Sequence, residues 1–161
     1  MLATHPVTSW LLVAATTTAG LAAGLLYAFV VAVMPGLGGV PDAVFVAVMQ
    51  SINRSIVNPW FLLTFLGAPA LAIAAVVSRL ITGAPDACWP LITAAALALL
   101  SVLITAIVNI PLNNVLDAAG SADPSAVRES FENRWVSWNV VRTVLSTAAF
   151  GFLVLTLALA G

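Results

Sequence analysis

The sequence predicts an all-α integral membrane protein, a single-domain four-helix bundle over residues 1–161 with a short interfacial or re-entrant helix between spans 1 and 2. Three observations predict it. Four apolar stretches, approximately Ser9–Met34, Pro59–Ile81, Cys88–Ile110 and Val140–Ala160, each come close to the ~20 residues that cross a bilayer as a helix. The composition is 62% hydrophobic and 7% charged with a mean hydropathy of +1.13 and no lysine, which leaves no segment for a soluble domain. The polar residues then cluster at alternate segment ends. If the spans run alternately up and down, Arg54, Asn58, Asn109, Asn113, Asn139 and Arg142 all fall at one end of the bundle.

Span 1 reads as a retained helix rather than a cleaved signal, because no basic segment precedes it. Gly20 and Gly24 stand four apart in it, a spacing that lets another helix approach closely. Pro35-Gly36-Leu37-Gly38-Gly39 is expected to break the helix, and Pro41-Asp42 to start a short one with Phe45, Met49, Ile52 and Ile56 at helical spacing. Gln50, Asn53 and Arg54 fall on another side of that segment. It reads either as an ordinary interfacial helix or as a lid whose polar side covers the mouth of the bundle.

Asn58-Pro59 marks the entry to span 2, since the residue before proline leaves helical geometry and proline is tolerated in a first turn. Pro69 is a candidate kink within it. Arg79, a Gly83-Ala84-Pro85-Asp86 turn and Trp89 form an opposite interface that reads as structural. Span 3 ends in Asn109-Ile110-Pro111-Leu112-Asn113-Asn114, where Asn109 and Asn113 share a face if the helix continues past Pro111. In the polar connector, Asp123-Pro124-Ser125 looks like a helix start, and Arg128 and Glu132 are spaced for an i,i+4 pair. That helix runs without a break into span 4, with Trp135, Asn139 and Arg142 on one stripe.

Several function classes are disfavoured. A net charge of −1 offers nothing to a nucleic-acid backbone, so no nucleic-acid partner is expected. A single cysteine, Cys88, permits no internal disulfide or redox pair. The one histidine, His5, lies in the tail, and no span carries the paired imidazole and carboxylate ligands of a haem or di-iron site, so no cofactor and no metal are expected. The polar end itself has two readings. Arg142 can snorkel to the interface with Trp135 and Trp138 as belt residues, and the amides can be interhelical glue. Alternatively, three amides and two guanidinium groups converging on one face line a ligand pocket.

The series Tyr27-Ala28-Phe29, Met34-Pro35-Gly36-Leu37, Met49-Gln50-x-Ile52-Asn53, Asn58-Pro59, Asn109-x-Pro111-Leu112-Asn113 and Phe131-Glu132-x-x-Trp135-x-x-Trp138-Asn139-x-x-Arg142-Thr143 resembles the anthrone oxygenase family of membrane proteins across nearly the whole chain. The resemblance implies a four-helix membrane bundle and cofactor-independent oxidation of an anthrone to an anthraquinone by dioxygen. In that reading Arg142 stabilises the substrate anion, and Asn109, Asn113 and Asn139 donate to carbonyl and peri-hydroxyl oxygens. Tyr27, Phe131, Trp135 and Trp138 supply aromatic surface, with Asn53, Arg54 and Asn58 beside the substrate. Glu132 is the candidate general base, with a salt bridge to Arg128 as its competing role.

The expected partners are a small apolar aromatic substrate, dioxygen and membrane lipid, and a homo-oligomer is allowed. The alternatives are a non-catalytic membrane protein that binds a lipid, quinone or small aromatic, and a small transporter subunit. Four arginines on the polar side against Arg79 opposite predict a plasma (inner) membrane protein with the site facing the cytoplasm and both termini outside.

Overall fold

The computed structural model describes residues 6–82, 88–120 and 122–160; His5 and the Gly83-Ala84-Pro85-Asp86 turn lie outside the described residues. The described residues are helical with short connections: α1 Pro6–Ala28, a π-helical turn Phe29–Val33, α2 Met34–Gly38, α3 Asp42–Ile56, α4 Pro59–Ile81, α5 Trp89–Ile104, a second π-helical turn Thr105–Asn109, α6 Ile110–Asp117 and α7 Pro124–Ala160. Four continuous runs, Pro6–Gly38, Pro59–Ile81, Trp89–Asp117 and Pro124–Leu159, are long and apolar enough to cross a membrane. They are spans 1 to 4. They stand in a ring, each packed on the next and span 4 returning to span 1.

The two halves of the bundle are built from different side chains. Away from the polar end the core is Leu12, Ala15, Ala19, Ala68, Ala72, Ala75, Leu91, Ala94, Ala95 and Leu153, and such small residues let helix backbones approach closely. Gly20 adds to this seam, since a Cβ there would lie 3.1 Å from the Phe150 ring, whereas a Cβ on Gly24 would meet open space. Hydroxyl pairs tie neighbouring spans, Thr8 to Ser78 at 2.7 Å and Ser101 to Ser146 at 3.0 Å. At the polar end the core is bulkier: Phe29, Met34, Phe45, Met49, Leu116, Phe131 and Trp135. Small residues fill the core of one half and bulkier side chains that of the other, where the structure leaves space open.

The outer surface is apolar, with Leu21, Leu63, Ile73, Leu103, Ile107 and Val144 all exposed. Apolar surface on this scale marks a membrane or partner interface rather than a face for water. Trp10, Trp60 and Trp89 are exposed near span ends, the position of an aromatic belt.

The structure corrects two expectations. Pro35 does not break span 1, which stays helical to Gly38. The π turn ahead of it has already replaced the usual ladder, Met34 N–H bonding Phe29 O five residues back, and Pro35 then occupies the first turn of α2, where a missing N–H is tolerated. Pro111 repeats the device: Ile110 N–H bonds Thr105 O, and the helix continues to Asp117. Pro69 lies inside α4 without ending it.

The second correction concerns α3, which covers the bundle mouth with its apolar side, not its polar one. Phe45 and Met49 are wholly buried, and Asn53 belongs to the same inward stripe, four residues on from Met49. The Arg128 guanidinium fastens the near end of α3: it donates to Val40 O at 2.9 Å and Gly38 O at 3.1 Å, pairs with Asp42 at 3.0 Å and lies 4.5 Å from the Phe45 ring centroid. Gln50 Nε2 donates to Leu116 O at 2.8 Å and secures its middle. At the far end Arg79 is buried, its Nε without a partner among the described residues.

Candidate functional site

At the polar end the four spans and α3 enclose a cavity of about 320 Å³. Most of its wall is apolar: Leu26 and Phe29 from span 1, Ile52 and Ile56 from α3, Phe61, Leu62, Phe65 and Leu66 from span 2, and Val102 and Ala106 from span 3. Phe61 and Phe65 stack on each other, centroids 5.2 Å apart and planes 13° from parallel. Into this surface project Asn53, Thr105, Asn109, Asn113, Asn139, Arg142 and Trp135.

Arg142 is buried and fixed by two neighbours. Its Nη2 donates to Asn139 Oδ1 at 2.8 Å, one turn earlier in α7, and its Nη1 donates to Thr105 Oγ1 at 3.0 Å across the interface with span 3. Thr105 passes its own proton to Ser101 O at 2.9 Å. Asn139 is anchored in turn, Nδ2 donating to Leu26 O at 3.4 Å. The guanidinium carbon lies 5.8 Å from the Trp135 ring centroid, and the indole N–H is held by Asn113 Oδ1 at 2.9 Å. A chain of polar contacts therefore runs from span 1 through span 4 to span 3, and no carboxylate stands against the cation among these partners.

Some of the polar capacity at this wall is unused. The Arg142 Nε, the Asn53 Nδ2 and both side-chain polar atoms of Asn109 are buried without a hydrogen-bond partner among the described residues. A buried polar group left unsatisfied costs about 1–3 kcal/mol. Asn109 sits at the last position of the π turn in span 3, and π turns recur at functional sites.

The model of the anthrone oxygenase family matches residues 60–152, more than half of the chain. The chain belongs to the anthrone oxygenase family. The matched segment of this family member carries Thr105, Asn109, Asn113, Trp135, Asn139 and Arg142, while Asn53 and the span 1 wall precede it. No curated protein and no solved structure matches the chain.

In this anthrone oxygenase family member the residues singled out from sequence divide into two groups. Asn53, Asn109, Asn113, Trp135, Asn139 and Arg142 meet at the one cavity. The remaining six lie elsewhere. Asn58 caps α4, its Oδ1 accepting from Phe61 N–H at 3.0 Å. Tyr27 and Arg54 are exposed, and Trp138 is 38% exposed, all outside the cavity wall. Phe131 packs between Phe45 and Trp135, behind the wall. Glu132 accepts from Arg128 Nε at 2.6 Å, so its carboxylate belongs to the fastening of α3.

Sequence reasoning missed Thr105, Phe61 and Phe65. Thr105 had a legible signal, a hydroxyl four residues before Asn109 in an otherwise apolar run. The two phenylalanines had none beyond their four-residue spacing. Among the described residues no cluster of three or more His, Cys, Asp or Glu could hold a metal ion.

Proposed function

We propose that this protein is a membrane oxygenase that uses dioxygen, without a cofactor, to oxidise an anthrone-type aromatic ketone in the cavity beneath α3. The reaction converts the activated methylene and one dioxygen into a carbonyl and one water. The methylene carbon loses a proton, and the resulting delocalised anion gives an electron to dioxygen. The carbon–oxygen bond forms as the two radicals combine, and the hydroperoxide then eliminates water to leave the second ketone.

The observation that carries this reading is the buried Arg142, oriented by Thr105 and Asn139 on the wall of an apolar cavity. A fixed cation in low-dielectric surroundings favours the anion more strongly than water does, and it needs no reorganisation when the charge appears. The unpartnered Asn53 and Asn109 amides are available to carbonyl and hydroxyl oxygens, and Phe61, Phe65 and Trp135 to the ring faces. The volume suits a small polycycle, within the range of about 300–1,000 Å³ typical of small-molecule sites. The excess of Arg54, Arg128, Arg134 and Arg142 over Arg79 supports a cytoplasmic position for this end of the bundle.

One observation favours a second reading, a non-catalytic binder of an aromatic or quinone: among the described residues the cavity wall carries no carboxylate, imidazole or phenol to act as a base. In the oxygenase reading the substrate ionises against water, its acidity raised by its own ring system and by Arg142. The test is dioxygen uptake and quinone formation measured together on purified protein in lipid nanodiscs. One quinone per dioxygen, above the protein-free rate, supports the oxygenase. Tight binding of the quinone without turnover on any of a panel of anthrones would replace it with the binder.

A further inference from the structure

The longest exposed apolar edge of the cavity lies between spans 2 and 3. Leu62 and Leu66 of span 2 and Ile110 of span 3 line it and are 41%, 47% and 47% exposed. The adjoining Leu63 and Ile107 face outward. Spans 2 and 3 are also the least closely packed pair of neighbours around the ring. Leu25 of span 1 and Val57, between α3 and span 2, also line the cavity and are 37% and 68% exposed, but each is a single residue rather than a continuous seam. Toward the polar end α3 is fastened by Arg128 and Gln50 with Phe45 and Met49 fully buried beneath it, and toward the opposite end the alanine seam closes the bundle.

We propose that the seam between spans 2 and 3, bordered by Leu62, Leu66 and Ile110, is a lateral portal through which a flat apolar aromatic ligand enters the cavity directly from the hydrocarbon of the bilayer. The inference rests on the reading of the cavity as an aromatic binding site. An uncharged polycycle concentrates in hydrocarbon, because its apolar surface is expelled from water. The portal's side chains are aliphatic, so passage strips no polar protein group of its partners. Phe61 and Phe65 present ring surface along the way. The π turn completes the arrangement by leaving Asn109 buried on the cavity while Ile110, the next residue, stands at the exposed edge. The ligand thus meets hydrogen-bonding groups only once inside.

The test uses the full chain in phosphatidylcholine nanodiscs, with a dihydroxyanthraquinone as fluorescent probe. Leu66→Trp and Ile110→Trp fill the seam. Each is expected to slow association by about tenfold, and dissociation with it. Asp42→Ala, which loosens the cover, is expected to leave both rates at the wild-type value. Unchanged rates in the seam variants, or faster association in Asp42→Ala, overturn the portal. Weaker affinity with unchanged association overturns it too, because the residues are then contacts rather than a gate. A second measurement needs no probe. With Trp10, Trp60, Trp89 and Trp138 replaced by Phe, Trp135 remains alone at the cavity, and phosphatidylcholine with brominated acyl chains should quench it, less so after Leu66→Phe and Ile110→Phe. No quenching overturns the portal even if the probe binds. Quenching without probe binding supports the portal and counts against the aromatic-ligand reading instead.

Discussion

Arg142 and Thr105 share a hydrogen bond of 3.0 Å that crosses from span 4 to span 3; the guanidinium can only donate, and the threonine proton goes to the Ser101 carbonyl. The hydroxyl oxygen can only accept. The guanidinium is therefore oriented by a group with a single available role, which is what a preorganised cationic site requires.

Removing that acceptor tests the orientation separately from the charge. Thr105→Val keeps the shape of the side chain and leaves an Nη1 proton unpaired, so turnover of an anthrone should fall by about 10- to 100-fold, matching the roughly 1.5–3 kcal/mol of a hydrogen bond to a charged group. Thr105→Ser, which restores the oxygen, should recover most of it. Equal loss in both variants would mean that the threonine acts through packing alone.

Arg142 itself should be intolerant even of lysine. Lysine keeps the charge but loses the planar fork that holds Thr105 and Asn139 at once, so Arg142→Lys should lower turnover at least about tenfold, and Arg142→Gln by a further factor of about 10–100. Dioxygen uptake at matched yields of folded protein is the measurement. Wild-type turnover in Arg142→Gln would reduce this arginine to a structural tie between spans.

The pH dependence should belong to the substrate. With no carboxylate, imidazole or phenol on the described cavity wall, kcat/KM should rise with pH and level off through the ionisation of the anthrone, not of a protein group. A series of anthrones of graded acidity should shift the inflection in step with each substrate's own pKa. An inflection that stays fixed across the series would reveal a protein base.

Two glycines four residues apart should behave differently. A methyl group at Gly20 would press on Phe150 at 3.1 Å, whereas Gly24 faces open space. Gly20→Ala should destabilise the bundle by about 1–3 kcal/mol through overpacking, and Gly24→Ala should be close to neutral. Thermal unfolding in one detergent distinguishes them, and equal shifts would contradict the close approach of spans 1 and 4.

The spans were legible because hydrocarbon thickness imposes a length and an apolar composition on any helix that crosses it. The convergence of Asn109, Asn139 and Arg142 was legible because alternating direction alone puts those segment ends together. Pro35 misled because proline ends a helix only where its N–H would have been used, and the π turn before it had removed that need. Asn53 reaches the cavity as the sequence suggested, but from the apolar stripe of Phe45 and Met49 and not from a shared polar side with Gln50 and Arg54, because a cavity can demand a buried amide on an otherwise apolar face. The aromatic wall at Phe61 and Phe65 could not be told from ordinary lipid-facing residues, since lipid and an apolar ligand select the same side chains.

The π turns at Phe29–Val33 and Thr105–Asn109 each take up one residue more than an ordinary turn, which rotates everything beyond them by about 100° relative to an unbroken helix. Spans 1 and 3 are thus each composed of two segments with independent angular phase. The alanine faces can remain in register with their neighbours while the segment beyond each turn aims a different set of side chains, Met34 beneath α3 in one case and Asn113 toward Trp135 in the other. Changes of specificity can accumulate at one end of such a bundle without disturbing the helix contacts that hold the other end together.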